Sequence, residues 1–132
     1  MSPRLRFDLV LNNLTAWAVA TGAIRMTSDG TPWRPLIHVQ DVSSAVLAVL
    51  AAPRDSVHNE AFNVGAEGEN YQVRDVATIV GEEVPGCAVS FADGASPDKR
   101  SYQVSFAKIA ERLPTWEPVW TVRDGVQEVY AA

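Results

Sequence analysis

The chain has 132 residues, with 11 Lys and Arg against 16 Asp and Glu and a net charge of -5 at neutral pH. That length suits one domain with a real core, and the acidic balance argues against a polyanion-binding surface while leaving room for a local arginine cluster. The single cysteine, Cys87, excludes an intrachain disulfide; no charged leader precedes Phe7, and no apolar stretch reaches the about 20 residues of a membrane helix, so the reading is a cytoplasmic protein with no nucleic-acid or membrane partner.

In chain order, apolar residues at Phe7, Val10, Leu14 and Trp17, with Leu11 and Ala18 beside them, repeat at helical spacing until Gly22 supplies a stop. Ile24 and Met26 alternate with polar neighbours as in a short strand, and Ser28, Asp29 and Gly30 form a turn. Leu36, Ile37 and Val39 predict a second strand. Asp41 is placed as the N-cap of a helix carrying Val42, Val46, Leu47, Val49 and Leu50, and Pro53 forbids its continuation.

Ala61 to Val64 predicts a buried strand closed by Gly65, and a loop through Gly68, Glu69 and Asn70 leads into a third helix opened by Tyr71. Val73, Val76, Ala77, Ile79 and Val80 line one face of that helix, and Pro85 with Gly86 ends it before a strand from Ala88 to Phe91. Residues 93 to 99, "DGASPDK", predict a turn-rich loop of the kind that carries function. A fourth helix holds Phe106, Ile109, Ala110 and Leu113, and Thr121 caps a fifth with Val122, Val126 and Val129. There is no repeat and no interdomain linker, so residues 1 to 132 read as a single domain of α/β or α+β class. Its strands are too short and scattered for a central sheet.

Three blocks, "DGTPWRPLIHVQDVSSAVLAVL", "FNVGAEGENYQVRDVATIV" and "DKRSYQVSFAKIAERL", resemble in order the C-terminal half of the extended short-chain dehydrogenase/reductases, the NAD-dependent epimerases and dehydratases of nucleotide sugars. The opening "SPRLRFDLVLNNL" is similar to the segment just after that family's catalytic region. The resemblance implies the substrate-binding part of an NAD(P)-binding Rossmann fold. Missing are the family's glycine-rich dinucleotide turn and its tyrosine with a lysine four residues on: no GxGxxG or GxxGxxG occurs, and Tyr71, Tyr102 and Tyr130 lack that lysine. Without the glycine turn a pyrophosphate cannot approach a helix N-terminus, so the parent family uses NAD(P) but this chain alone is expected to hold none and to contribute no catalytic residue.

The resemblance also implies the site. Arg34 of "WRPLIHVQD" matches the arginine that points at the substrate's diphosphate, a role suited to a guanidinium's fixed fork of donors; by itself the residue also fits a surface turn. Arg100 of "DKRSY" matches a second arginine closing on the same phosphates, the alternative being a solvated charge beside Asp98 and Lys99. Asn63 of "FNVG" matches a position near the nucleotide or phosphate, against a plain role in tying down its own loop. Trp33 is placed to border the sugar pocket, while Trp17, Trp116 and Trp120 read as core or interface anchors. His38, in an apolar run, reads as a hydrogen-bonded packing residue, and one Cys with two distant His forms no metal site.

Three classes of function follow. The first is a fragment or half of a nucleotide-sugar epimerase or dehydratase whose redox chemistry resides in the missing N-terminal half. The second is a stand-alone sugar-nucleotide binding module, and the third an inactive structural or interaction partner. A surface that normally packs on a dinucleotide-binding half would leave apolar area uncovered, so the partners expected are a nucleotide sugar and either that half or further copies of the chain.

Overall fold

Helix α1 spans Val10–Thr21, and its end follows from Gly22, which adopts the left-handed conformation at φ 69 and donates its amide to the Ala18 carbonyl. The computed structural model describes residues 5–96 and 100–132. The helical stripe expected from Phe7 starts later, because the side-chain amides of Asn12 and Asn13 take the carbonyls of Arg6 and Phe7 and hold that segment outside the helix. Leu14, Thr15 and Ala18 form the buried face, whereas Phe7 and Trp17 are exposed.

Strand β1, Ala23–Ser28, buries Ile24 and Met26 and alternates as its sequence requires. It pairs in parallel with β4, Ala88–Ser96, with Ile24 opposite Val89 and Met26 opposite Phe91. Residues 93–96 of the expected 93 to 99 loop instead continue β4 beyond Phe91, where the strand was expected to end, and residues 97–99 lie outside the described residues. Helix α4, Val73–Glu83, lies ahead of β4 and packs Val76, Ala77 and Val80 onto Leu14, Ala18, Ile24 and Met26. Helix α6, Val122–Tyr130, completes this first core with Val122 and Val126. Thr121 caps α6 as expected: its Oγ1 accepts the Asp124 amide while the Asp124 carboxylate accepts the Thr121 amide at 2.9 Å, a capping box that holds the Asp124 carboxyl below its ordinary range.

A second core joins Ala45 of helix α2, Val39–Ala51, to Phe106, Ile109 and Leu113 around helix α5, Ala107–Arg112, and to Trp116. A short helix α3, Arg54–Val57, follows α2 with Pro53 at its start, a turn the sequence reading did not anticipate.

Four further expectations need correction. The strand placed at Leu36, Ile37 and Val39 is instead β2, Trp33–Pro35, which pairs antiparallel with β3, Asn70–Gln72, in the register Arg34 opposite Tyr71; Val39 already belongs to α2. Tyr71 therefore lies in β3 and does not open the third helix. The N-cap of that helix is Gln72, whose amide donates to the Asp75 carboxylate at 3.3 Å. Asp41 does not cap α2. The cap is His38, whose Nδ1 accepts the Gln40 amide at 3.2 Å, while Asp41, in the first turn and 2% exposed, turns its carboxylate away to accept the amides of Val119 at 3.1 Å and Trp120 at 3.0 Å. Finally, Ala61 to Val64 takes no place in either sheet among the described residues.

The turn at Gly30 admits only glycine. Its φ is +71, and a Cβ there would stand 2.6 Å from the Arg74 Cβ.

Asp41 leaves two backbone donors without partners when truncated. Asp41→Ala is expected to cost about 2 kcal/mol or more, and Asp41→Asn, which keeps one acceptor of similar shape, distinctly less. Urea unfolding with an unchanged slope measures both; equal stability of Asp41→Ala and the parent chain would remove this carboxylate from the structural account.

Candidate functional site

Helix α1, strand β1, the β2 segment with the residues after it, and α6 line an open cleft of about 1400 Å³, with Arg34, His38, Glu69, Arg100, Tyr102 and Trp120 in its wall. Arg34 reaches it because β2 is a three-residue strand pinned on one side by β3 and on the other by residues 101–102. The Trp33 amide donates to Ser101 Oγ at 3.1 Å and the Tyr102 amide to the Trp33 carbonyl at 3.4 Å. These contacts bring Arg34 and Arg100 together across 66 residues of sequence: Arg34 Nη1 donates to the Trp33 carbonyl at 2.7 Å and to the carbonyl of Arg100. The Arg34 guanidinium also lies 5.9 Å from the centre of the Tyr102 ring, within range of a cation–π contact.

Of the four residues singled out from the sequence, the structure therefore groups Arg34 and Arg100 on one wall. Trp33 joins them through its backbone, and its side chain is not part of the cleft lining. Asn63 is exposed in a separate small recess with Val64, Val104 and Phe106, where its Nδ2 donates to the Ser105 carbonyl at 3.2 Å. Tyr102 escaped the sequence reading although it stands in the same "DKRSY" block as Arg100; an aromatic two residues from a cation becomes meaningful only once the chain folds it under a second cation.

The same cleft is lined by a polar and aromatic set that is hydrogen-bonded among itself. His38 stacks on Trp120 with ring centroids 3.9 Å apart, and since its Nδ1 accepts the Gln40 amide, its Nε2 carries the proton toward Glu128 Oε2 at 2.8 Å. This matches the packing role expected of His38. Glu69 accepts the Tyr71 hydroxyl and the Val122 amide, each at 3.2 Å. Burial raises the Glu69 carboxyl above its ordinary range against the pull of these two donors, and burial together with the Glu69 charge raises the Tyr71 phenol.

Among the described residues no group of three or more His, Cys, Asp and Glu could hold a metal ion, and no helix is long and apolar enough to cross a membrane. Among the described residues no glycine-rich turn offers a cradle for a dinucleotide pyrophosphate. β1 passes through Asp29 and Gly30 into β2, and β3 runs straight into α4, so neither strand opens through a glycine-rich turn onto a helix N-terminus.

Residues 3–65 match the model of the NAD dependent epimerase/dehydratase family. The chain is related to that family. It is 30% identical over 109 residues, 83% of its own length, to the candidate GDP-L-fucose synthase 2 of Oryza sativa subsp. japonica, of which it spans 30%. The UDP-glucuronic acid 4-epimerase from Bacillus cereus, solved with UDP-glucuronic acid and NAD, superimposes on 99% of this chain with a TM-score of 0.77 at 19% identity, using 41% of its own length. An epimerase from Methanothermobacter thermautotrophicus superimposes on 96% of this chain with a TM-score of 0.73 at 25% identity, again with 37% of its own length. The fold is thus that of part of an NAD-binding Rossmann-type short-chain dehydrogenase/reductase, and the chain spans well under half of each of these relatives.

The raised Glu69 carboxyl gives a pH signature. A group that is easier to protonate in the fold than in the unfolded chain contributes stability below its unfolded value, and that contribution fades as pH rises through the folded value. Glu69→Gln, which cannot ionise, is expected to gain on the parent chain as pH is raised from about 4 to 7, when both are compared by denaturant midpoint. A stability difference that is flat with pH would show that Glu69 titrates like a solvated carboxyl.

Proposed function

We propose that residues 1 to 132 act as one domain, the C-terminal, substrate-binding part of a nucleotide-sugar epimerase or dehydratase. The observation that carries the reading is that Arg34 and Arg100 both line the cleft and that Arg34 Nη1 donates to the Arg100 carbonyl, which sets two cationic residues on neighbouring backbone where a diphosphate could bridge them. Arg34 supplies the forked donor pair, with its Nη1 aligned by two backbone carbonyls, and Arg100 closes on the same phosphates from the segment it leads. Trp33 acts through the backbone that carries Arg34, and Asn63, tied to the Ser105 carbonyl in its separate recess, is left out of the substrate contacts. The relatives' names support the substrate class: one is solved with a UDP-sugar and another is named for a GDP-sugar activity.

In this reading the cofactor, NAD or NADP, supplies hydride exchange from the other part of the parent enzyme. This chain binds and orients the substrate and contributes no proton-transfer residue. It operates in the cytoplasm.

Calorimetric titration of UDP and GDP into the chain tests the assignment. Each charge-assisted arginine contact is worth roughly 1.5 to 3 kcal/mol in an assembled site, about ten- to a hundredfold in affinity. The isolated chain is expected to show less, because its wetter cleft screens the charges and more of the segment must be ordered. Arg34→Lys, which keeps the charge and removes the fork, should lose most of what Arg34→Ala loses, and the Arg34→Ala and Arg100→Ala effects should not add. Binding unchanged in both arginine variants, with the fold intact, would return these residues to surface roles.

A further inference from the structure

The cleft follows the edge of β1 that β4 does not occupy. All six residues of β1 line it, and no residue from Ala88 to Ala92 of β4 does. Among the described residues the lining holds four arginines and no lysine. Arg34 and Arg100 belong to the site already described, and Arg6 is paired with Asp8 at 2.6 Å. Arg25, in the middle of β1, is the fourth.

Arg25 is exposed, and among the described residues no hydrogen bond, ion pair or ring contact engages its side chain. Its neighbours leave it clear. Ala23 and Thr27 stand on the same face of β1, Ser90 lies opposite Arg25 in register and Ala88 opposite Ala23, so the guanidinium rises from a floor of short side chains. The core does not use it either, since Ile24 and Met26 on the other face supply the strand's share of the first core. Close by is an aromatic surface with no core role: Trp17 lines the same cleft and is 57% exposed. The Thr21 hydroxyl lies 2.8 Å from the Trp17 carbonyl and 3.0 Å from the Ala23 carbonyl, which holds the turn of α1 bearing Trp17 beside the start of β1.

We infer that Arg25 reads the nucleobase of the substrate, that the base is guanine, and that Trp17 gives its flat face a surface to lie on. This rests on the reading that Arg34 and Arg100 hold the diphosphate. In that reading the sugar must reach the hydride donor held by the other part of the parent enzyme, so the end of the ligand walled by α1 and β1 of this chain is the nucleoside, which does not react. A guanidinium forks two donors in one plane and suits two neighbouring acceptors. Guanine alone among the common bases presents such a pair, N7 and O6; adenine sets an amino donor beside N7, cytosine an amino donor at C4, and uracil a lone carbonyl beside a ring C–H. A carboxylate on the sugar is the competing partner for the fork. It would have no use for an exposed indole beside it, whereas every base has a face that stacks.

The test is calorimetric titration of GDP, UDP and 7-deaza-GDP, which lacks only the N7 acceptor, into the 132-residue chain at one fixed low salt concentration. The chain is expected to prefer GDP to UDP by roughly five- to a hundredfold, and 7-deaza-GDP to lose most of that preference. Arg25→Ala and Arg25→Lys should both bring GDP down toward UDP while moving UDP little, because the fork and not the charge reads the base. Trp17→Leu should weaken both nucleotides about fivefold or more and leave inorganic pyrophosphate unchanged. Should a substitution disturb the fold, GDP against 7-deaza-GDP on the parent chain still decides. Equal binding of GDP and UDP, equal binding of GDP and 7-deaza-GDP, a GDP preference that survives Arg25→Ala, nucleotide binding indifferent to Trp17→Leu, or a preference for UDP-glucuronic acid over UDP-glucose that Arg25→Ala abolishes would each overturn the inference. Arg34→Lys separates it from the diphosphate reading. Both nucleotides bound alike and both weakened by that change defeat the base assignment alone, whereas binding of neither nucleotide defeats the diphosphate reading and this inference with it.

Discussion

The carboxylate of Asp41 joins the two cores, and most of the site geometry hangs from it. It lies one turn from Ala45, which belongs to the core around α5, and it holds the amides of Val119 and Trp120, immediately ahead of Val122 in the core around α1 and α4. A buried carboxylate is costly unless its oxygens are satisfied, and here each oxygen takes one backbone donor. The same junction is reinforced by Trp116, whose Nε1 donates to Ser44 Oγ at 2.8 Å, so α2 is tied to the chain ahead of α6 at two successive turns. Once residues 119–120 are fixed, Trp120 falls over His38, and α6 begins where Glu128 can reach the imidazole.

That junction also fixes the entry to β2. His38 caps α2 only two residues after Leu36, whose amide donates to the Glu69 carbonyl, and β2 ends at Pro35 beside them. Glu69 in turn accepts the amide that opens α6. Arg34 is therefore carried on a three-residue strand clamped at both ends by contacts from distant parts of the chain. A short strand so bounded has little freedom to shift register, because a one-residue slip would send the arginine to the opposite face.

The elements legible in the sequence are those whose signals are local. α6 could be placed from Thr121, and α1 could be ended at Gly22, because the capping residue and the stop each act within one turn. β2 and β3 were not legible, since three residues acquire strand character only from a partner nearly forty positions away. Asp41 was misplaced for a related reason. At the start of a helix its carboxylate is within reach of the first-turn amides, and nothing nearby reveals that its donors lie 78 and 79 residues further on. Ala61 to Val64 is the instructive opposite: its alternation is real and its core-facing side chains are packed, yet a strand also needs a ladder, which residue pattern alone cannot supply.

The same distinction applies to the site. Arg34 and Arg100 drew notice because their blocks resemble a family, while their meeting depends on Ser101 and Tyr102 lying along Trp33. In a chain of net charge -5, Arg34 and Arg100 place two cationic residues in the lining of a cleft that also holds Glu69 and Glu128. The Arg34 guanidinium is held by the two carbonyls that take its Nη1 and by the electron-rich face of Tyr102. Those same contacts restrict the rotamers of a side chain that would otherwise lose much freedom on binding an anion. Were a phosphate to bind Arg34 as proposed, part of the ordering cost would already be met by the fold, through Trp33, Ser101 and Tyr102.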